Sequence, residues 1–171
     1  MCFFLFAASP LTLSEVRSML PQGFTADLAG PADQAALRAL HPAARTGARL
    51  LLGACSCDLV LQRNGSRDEE RELRARYFAS GMSRGDVIAA LDGHRRGGGR
   101  FDSSANARAA LAAFVAEHAR NAGPTLYLLR FGLEPPERPA PLQPPHRMQV
   151  TEVLADPGGW LIEDRPTLVL P

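Results

Sequence analysis

Both faces of residues 2–8 are apolar, with Cys2, Phe4 and Phe6 alternating against Phe3, Leu5 and Ala7. A strand buried on both faces belongs in the interior of a sheet. Residues 49–54 (Arg-Leu-Leu-Leu-Gly-Ala) and 125–131 have the same character, so all three segments are expected to be central strands. Between the first two, Thr12 stands three residues before Glu15, a capping-box spacing. Leu13, Val16 and Leu20 then line one side of a short helix that Pro21 stops. A second helix is expected from Pro31 to Leu40, because proline suits the first helical position and His41-Pro42 closes the pattern.

After residue 54 the pattern turns helical. Leu59, Val60 and Leu61 read as a hairpin return or a short extension, and Asn64-Gly65 is a turn signal. Ser66 with Glu69, and Ser83 with Asp86, are two further capping boxes, separated by Gly81. The helices they open are expected to bury Leu73, Tyr77 and Phe78 in one case and Val87, Ile88 and Leu91 in the other. Residues 95–102 form a Gly/Arg-rich loop, followed by a longer helix that starts at Ser103 or Ser104 and ends at Gly123-Pro124. Its apolar stripe carries Leu111, Phe114 and Val115, with His118 beside them. Residues 134–145 are proline-rich and read as a surface loop. Alternation predicts a strand over 146–154, a turn at residues 156–159 and a final strand over 167–170. Strands gathered at the end argue for an α+β fold, a mixed sheet with helices mainly on one face. At 171 residues the chain is expected to form a single domain.

Composition narrows the function classes. All 19 basic residues are arginine and 18 acidic residues nearly cancel them, leaving a net charge of +1. Nucleic-acid binders show a basic excess or stripe, and the whole chain has neither. No run approaches the ~18 uninterrupted apolar residues of a membrane helix. The apolar start lacks a positively charged leader region, and Pro10 interrupts it, so the cytoplasm is the expected compartment.

The candidate chemistry lies in the cysteines, Cys2, Cys55 and Cys57, an odd set unlike a disulfide scaffold. In an extended segment Cys55 and Cys57 face the same way, so both sulfurs can reach one soft ion, zinc or copper(I), or act as a redox pair. Whether Cys2 joins them depends on topology. Antiparallel strands put Cys2 and Cys55 at one sheet end, whereas parallel strands separate them by roughly 20 Å. The competing view is that each cysteine is a small buried hydrophobe. Cys2 after Met1 also suggests an N-terminal nucleophile, but Phe3 stands where glutamine amidotransferases carry glycine. The Met-Cys start and the apolar strand running into Gly53-x-Cys55-x-Cys57 resemble a group of small uncharacterised bacterial proteins. Those carry a Gly-Cys-x-Cys-type segment after their second strand; here Ala54 intervenes and Asp58 replaces a glycine. The resemblance implies that the cysteines act as a unit and implies no activity.

Other motifs are sparser. Gly81-Met82-Ser83 with Val87 and Leu91 partly matches a helix-turn-helix, but Ile88 fills the small-residue position and no recognition helix follows. Arg95, Arg96 and Arg100 could bind an anion. His41, His94, His118 and His146 have no metal spacing, and His118 reads as a structural histidine. Paired catalytic carboxylates, a nucleophile elbow, a Walker loop and a dinucleotide fingerprint are absent. The leading reading is a non-enzymatic ligand- or protein-interaction module, with a protein partner or a homo-oligomer in view. The alternatives are a thiolate metal or redox site on Cys55, Cys57 and Cys2, and an anion or nucleic-acid contact through Arg95, Arg96 and Arg100.

Overall fold

A computed structural model describes residues 2–53, 56–59, 74, 75, 77–79, 81–88, 91, 101–132 and 144–171. Contacts gather the chain into two compact units, Met1–Val60 with Asn106–Pro171, and Leu61–Ala105. The first unit holds a mixed six-stranded sheet, giving an α+β fold. Its strands are β1 (Cys2–Ser9), β2 (Phe24–Leu28), β3 (Thr46–Leu52), β4 (Thr125–Gly132), β5 (His146–Gln149) and β6 (Thr167–Leu170). They lie in the order β2-β3-β1-β4-β6-β5. Every pair is antiparallel except β5 with β6. The three segments expected to be central therefore occupy interior positions, as their two apolar faces require.

Helices cover this sheet according to which residues each strand turns to which side. Leu5, Ala7, Leu50, Tyr127 and Leu129 form the larger core. Packed with them are Val16 of α1 (Leu13–Met19), Leu111, Phe114 and Val115 of α3 (Phe101–Ala122), and Val153 of α4 (Val150–Ala155). The opposite face carries Phe6, Ala8, Leu126 and Leu128 in a smaller core with Leu37 of α2 (Pro31–Leu40). Local chemistry accounts for these helices. Glu15 accepts the Thr12 N–H at 2.8 Å while Thr12 Oγ1 accepts the Glu15 N–H, a reciprocal cap. Pro31 opens α2, and the His41 N–H closes it on the Leu37 carbonyl.

Three segments differ from the sequence reading. The alternation over 146–154 breaks at Gln149, whose N–H is taken by the Glu152 carboxylate at 2.6 Å. That cap turns residues 150–155 into a helical turn burying Val150 and Val153, whose i, i+3 spacing suits helix as well as strand. Strand β2 was not expected, because its five residues include exposed Thr25 and Asp27. It pairs along its length with β3, Phe24 opposite Leu52 and Leu28 opposite Ala48. The loop expected over 95–102 also gives way to helix at Phe101. Its first six residues, with the Ser66–Glu69 box and most of the proline-rich stretch, lie outside the described residues.

The second unit keeps the expected punctuation. Gly81 (φ +82°) and Met82 donate to the Phe78 and Tyr77 carbonyls, a Schellman closure, and Ser83 Oγ then accepts the Asp86 N–H. Tyr77, Val87 and Leu91 are buried, but Phe78 and Ile88, expected on the buried stripes, are 47% and 49% exposed.

Close approach of α2 to β3 depends on Gly47, where a Cβ would come within 3.1 Å of Gln34 Cγ and 3.2 Å of Leu37 Cδ1. Gly47→Val is expected to cost about 1–3 kcal/mol by overpacking. Urea unfolding should show this as a lower midpoint with an unchanged slope.

Candidate functional site

The direction of β3 settles the first question about the cysteines. Because β1 and β3 are antiparallel, with Leu5 opposite Leu50 and Ser9 opposite Thr46, the chain leaves β3 at the sheet end where β1 begins. Direct pairing stops at Leu5, and residues 56 and 57 continue the ladder. The Ser56 N–H donates to the Phe3 carbonyl at 2.9 Å. Ser56 Oγ accepts the Leu5 N–H at 3.1 Å and donates to the Leu50 carbonyl at 2.7 Å. Cys57 Sγ accepts the Phe3 N–H at 3.3 Å. A short 3-10 turn, Cys57–Leu59, then buries Leu59 in the larger core.

The Cys2 backbone is thus placed beside Cys57. Phe3 N is two bonds from the Cys2 Cα, so that Cα lies within about 6 Å of Cys57 Sγ. Cys55 lies outside the described residues, as do Arg95, Arg96 and Arg100. Among the described residues no group of three His, Cys, Asp or Glu side chains is arranged to hold a metal ion. Sequence reasoning missed Ser56, which is fully buried and supplies most of the bonding in this segment. Its only signal was a polar residue between two cysteines after an apolar strand.

The second unit contributes a half-open hollow of about 460 Å³ lined by Arg74, Phe78, Arg84, Val87 and Ile88. It is mainly apolar, and its described lining residues include no nucleophile or carboxylate. No described helix is long and apolar enough to cross a membrane.

No family model, curated protein or solved structure matches the chain.

A third constellation resembles catalytic machinery but is sealed. His118 Nε2 lies 2.7 Å from Ser9 Oγ, and its Nδ1 lies 2.6 Å from the Tyr127 hydroxyl. Ser9 Oγ also accepts the Leu11 N–H at 3.0 Å. Tyr127 is edge-on to Trp160, and Phe114 is tilted against the imidazole. None of the three hydrogen-bonding residues is more than 1% exposed, so no substrate reaches them. Satisfied partners at both ring nitrogens make His118 a structural joint between α3, β1 and β4.

Burial drives the His118 pKa down from 6.5 to about 4. Between those values the unfolded chain binds a proton that the folded chain refuses. The stability this neutral histidine supports is complete above pH 6.5 and falls as the pH drops toward 4. The slope is about 1.4 kcal/mol per pH unit. Urea titrations from pH 7 to 4.5 should show it. His118→Gln should flatten that slope, whatever its absolute cost, and an unchanged slope would assign the acid sensitivity elsewhere.

Proposed function

We propose that this protein binds a soft metal ion, zinc or copper(I), through thiolates of Cys57 and Cys2, with Cys55 as a third donor, and that it performs no ordinary catalysis. The observation that carries this reading is the Phe3 N–H directed at Cys57 Sγ. A hydrogen bond donated to sulfur favours the ionised thiolate, which is the metal-binding form. The same bond holds the Cys2 backbone beside that sulfur. Thiolate donors select zinc and copper(I) over hard cations, and three of them leave a fourth zinc position for water or an outside ligand. Cys57 is only partly buried, so an ion has a route to it.

The second reading is an interaction module in which the cysteines only pack. Its support is Ser56, whose full burial and double hydrogen bond give the segment a structural task of its own. Elemental analysis of protein purified without chelator separates the two readings. Metal binding predicts zinc or copper in fixed proportion to the protein, lost in both Cys57→Ser and Cys2→Ser while both variants remain folded. Metal-free wild-type protein that takes up neither ion on dialysis would leave the interaction module.

A further inference from the structure

The sheet face opposite the larger core carries two arginines with few acceptors among the described residues. Arg49 of β3 stands opposite Phe6, and Arg130 of β4 stands opposite Phe4, on the two sides of β1. Residues paired across a sheet share a face, and Phe4 and Phe6 share theirs by alternation. The Arg49 side chain leans along β1, bringing its Cζ to 5.4 Å from the centre of the Phe4 ring. It therefore reaches the row in which Arg130 lies. Asp33, in the first turn of α2, approaches from above the sheet. Its carboxylate is 3.8 Å from Arg130 Nη1, and it feels the charge of Arg49 as well.

These groups are under-bonded. Arg49 Nε is buried and has no hydrogen-bond partner among the described residues. Arg130 Nε lies 3.7 Å from Asp164, and this separation, like the one to Asp33, is longer than a hydrogen bond. The Arg130 side chain is only 13% exposed. Buried guanidinium N–H groups normally have acceptors, and guanidinium forks suit the paired oxygens of a carboxylate or phosphate. Asp164 closes one side from a left-handed backbone conformation (φ 56°), and its own side chain is 63% exposed. That leaves a solvent-facing rim. Phe4 supplies an apolar wall on which one guanidinium already rests.

We propose that Arg49 and Arg130 form a binding site for a small-molecule oxyanion, a carboxylate or phosphate group, seated beside Phe4 and bridging the two guanidiniums. Asp33 is the buried internal competitor for the same donors, beside the more exposed Asp164. Burial already holds its carboxyl above the usual aspartate range, against the pull of Arg130 and Arg49. An incoming anion thus meets two cations whose internal partners, Asp33 and Asp164, stand beyond hydrogen-bond distance. The site lies within the first unit and is independent of the cysteines, so metal content does not bear on it.

The competition makes the proposal testable with the full-length chain. Thermal unfolding is followed at pH 7 in sodium chloride, with sodium acetate or sodium phosphate added at constant ionic strength. At least one oxyanion should raise the midpoint saturably beyond chloride, as expected for a ligand of the folded state. A response to acetate alone assigns a carboxylate group, and a response to phosphate assigns a phosphate group. Arg49→Gln should abolish the rise. Arg130→Gln leaves Asp33 unpartnered and risks misfolding, so the double variant Asp33→Asn/Arg130→Gln serves instead and should also show no response. Asp33→Asn alone should bind the oxyanion about tenfold more tightly, because it removes the competing charge. A purely structural ion cluster predicts no such gain. The proposal is overturned if neither anion exceeds chloride, if Arg49→Gln keeps the full response, or if Asp33→Asn weakens it.

Discussion

One side chain holds the two most apolar strands together where their own ladder runs out. The Ser56 hydroxyl takes the Leu5 N–H and gives its proton to the Leu50 carbonyl, while the Ser56 backbone N–H reaches Phe3. An interior strand with unpaired amides on one side would carry a desolvation cost of roughly 1–3 kcal/mol for each group. Ser56 and Cys57 meet that need at Leu5 and Phe3 in succession. The position of the Cys57 sulfur is thus a by-product of completing a sheet. Chemistry at that sulfur and integrity of the central strand are tied to one another through adjacent residues.

The two faces of the sheet solve different problems. On the face covered by α1, α3 and α4, one polar trio is satisfied internally, Ser9 and Tyr127 taking both nitrogens of His118, while the nearby Trp160 Nε1 has no partner among the described residues. A fully satisfied polar trio of this kind favours one arrangement of helix and strands over near alternatives. On the other face α2 meets the sheet through Leu37 and a tight passage at Gly47. The charged groups there, Asp33, Arg49 and Arg130, stand at distances set by their strands and helix rather than by their own pairing.

What sequence alone could reveal follows the same division. Segments whose identity rests on local signals were readable: β1, β3 and β4 from apolar faces, α1 from Thr12 and Glu15, α2 from Pro31 and His41. The fold class followed from their order. Strand direction did not, because the helix-bearing connection from β1 to β3 is compatible with either sense, and so the meeting of Cys2 and Cys57 stayed open. Strand β2 escaped because an edge strand with one buried face needs few apolar residues. At 146–154 two periods competed over the same valines, and a cap at Gln149 decided between them. The partners of Ser56, Arg49 and Arg130 are distant in sequence, and no local pattern announces such contacts.

The position of β1 also bears on how the chain is made. Residues 2–52 contain β1, β2 and β3, enough for a three-stranded antiparallel piece to assemble early. Its outer edge would be β1, whose other neighbour, β4, spans Thr125–Gly132. During synthesis at about 5–20 residues per second, that edge waits several seconds for its partner. The waiting edge presents Phe3, Phe4, Leu5 and Phe6, with open amides and no charged gatekeeper among them. An interior strand of the finished protein is therefore an open, apolar edge in any nascent chain that ends before residue 125.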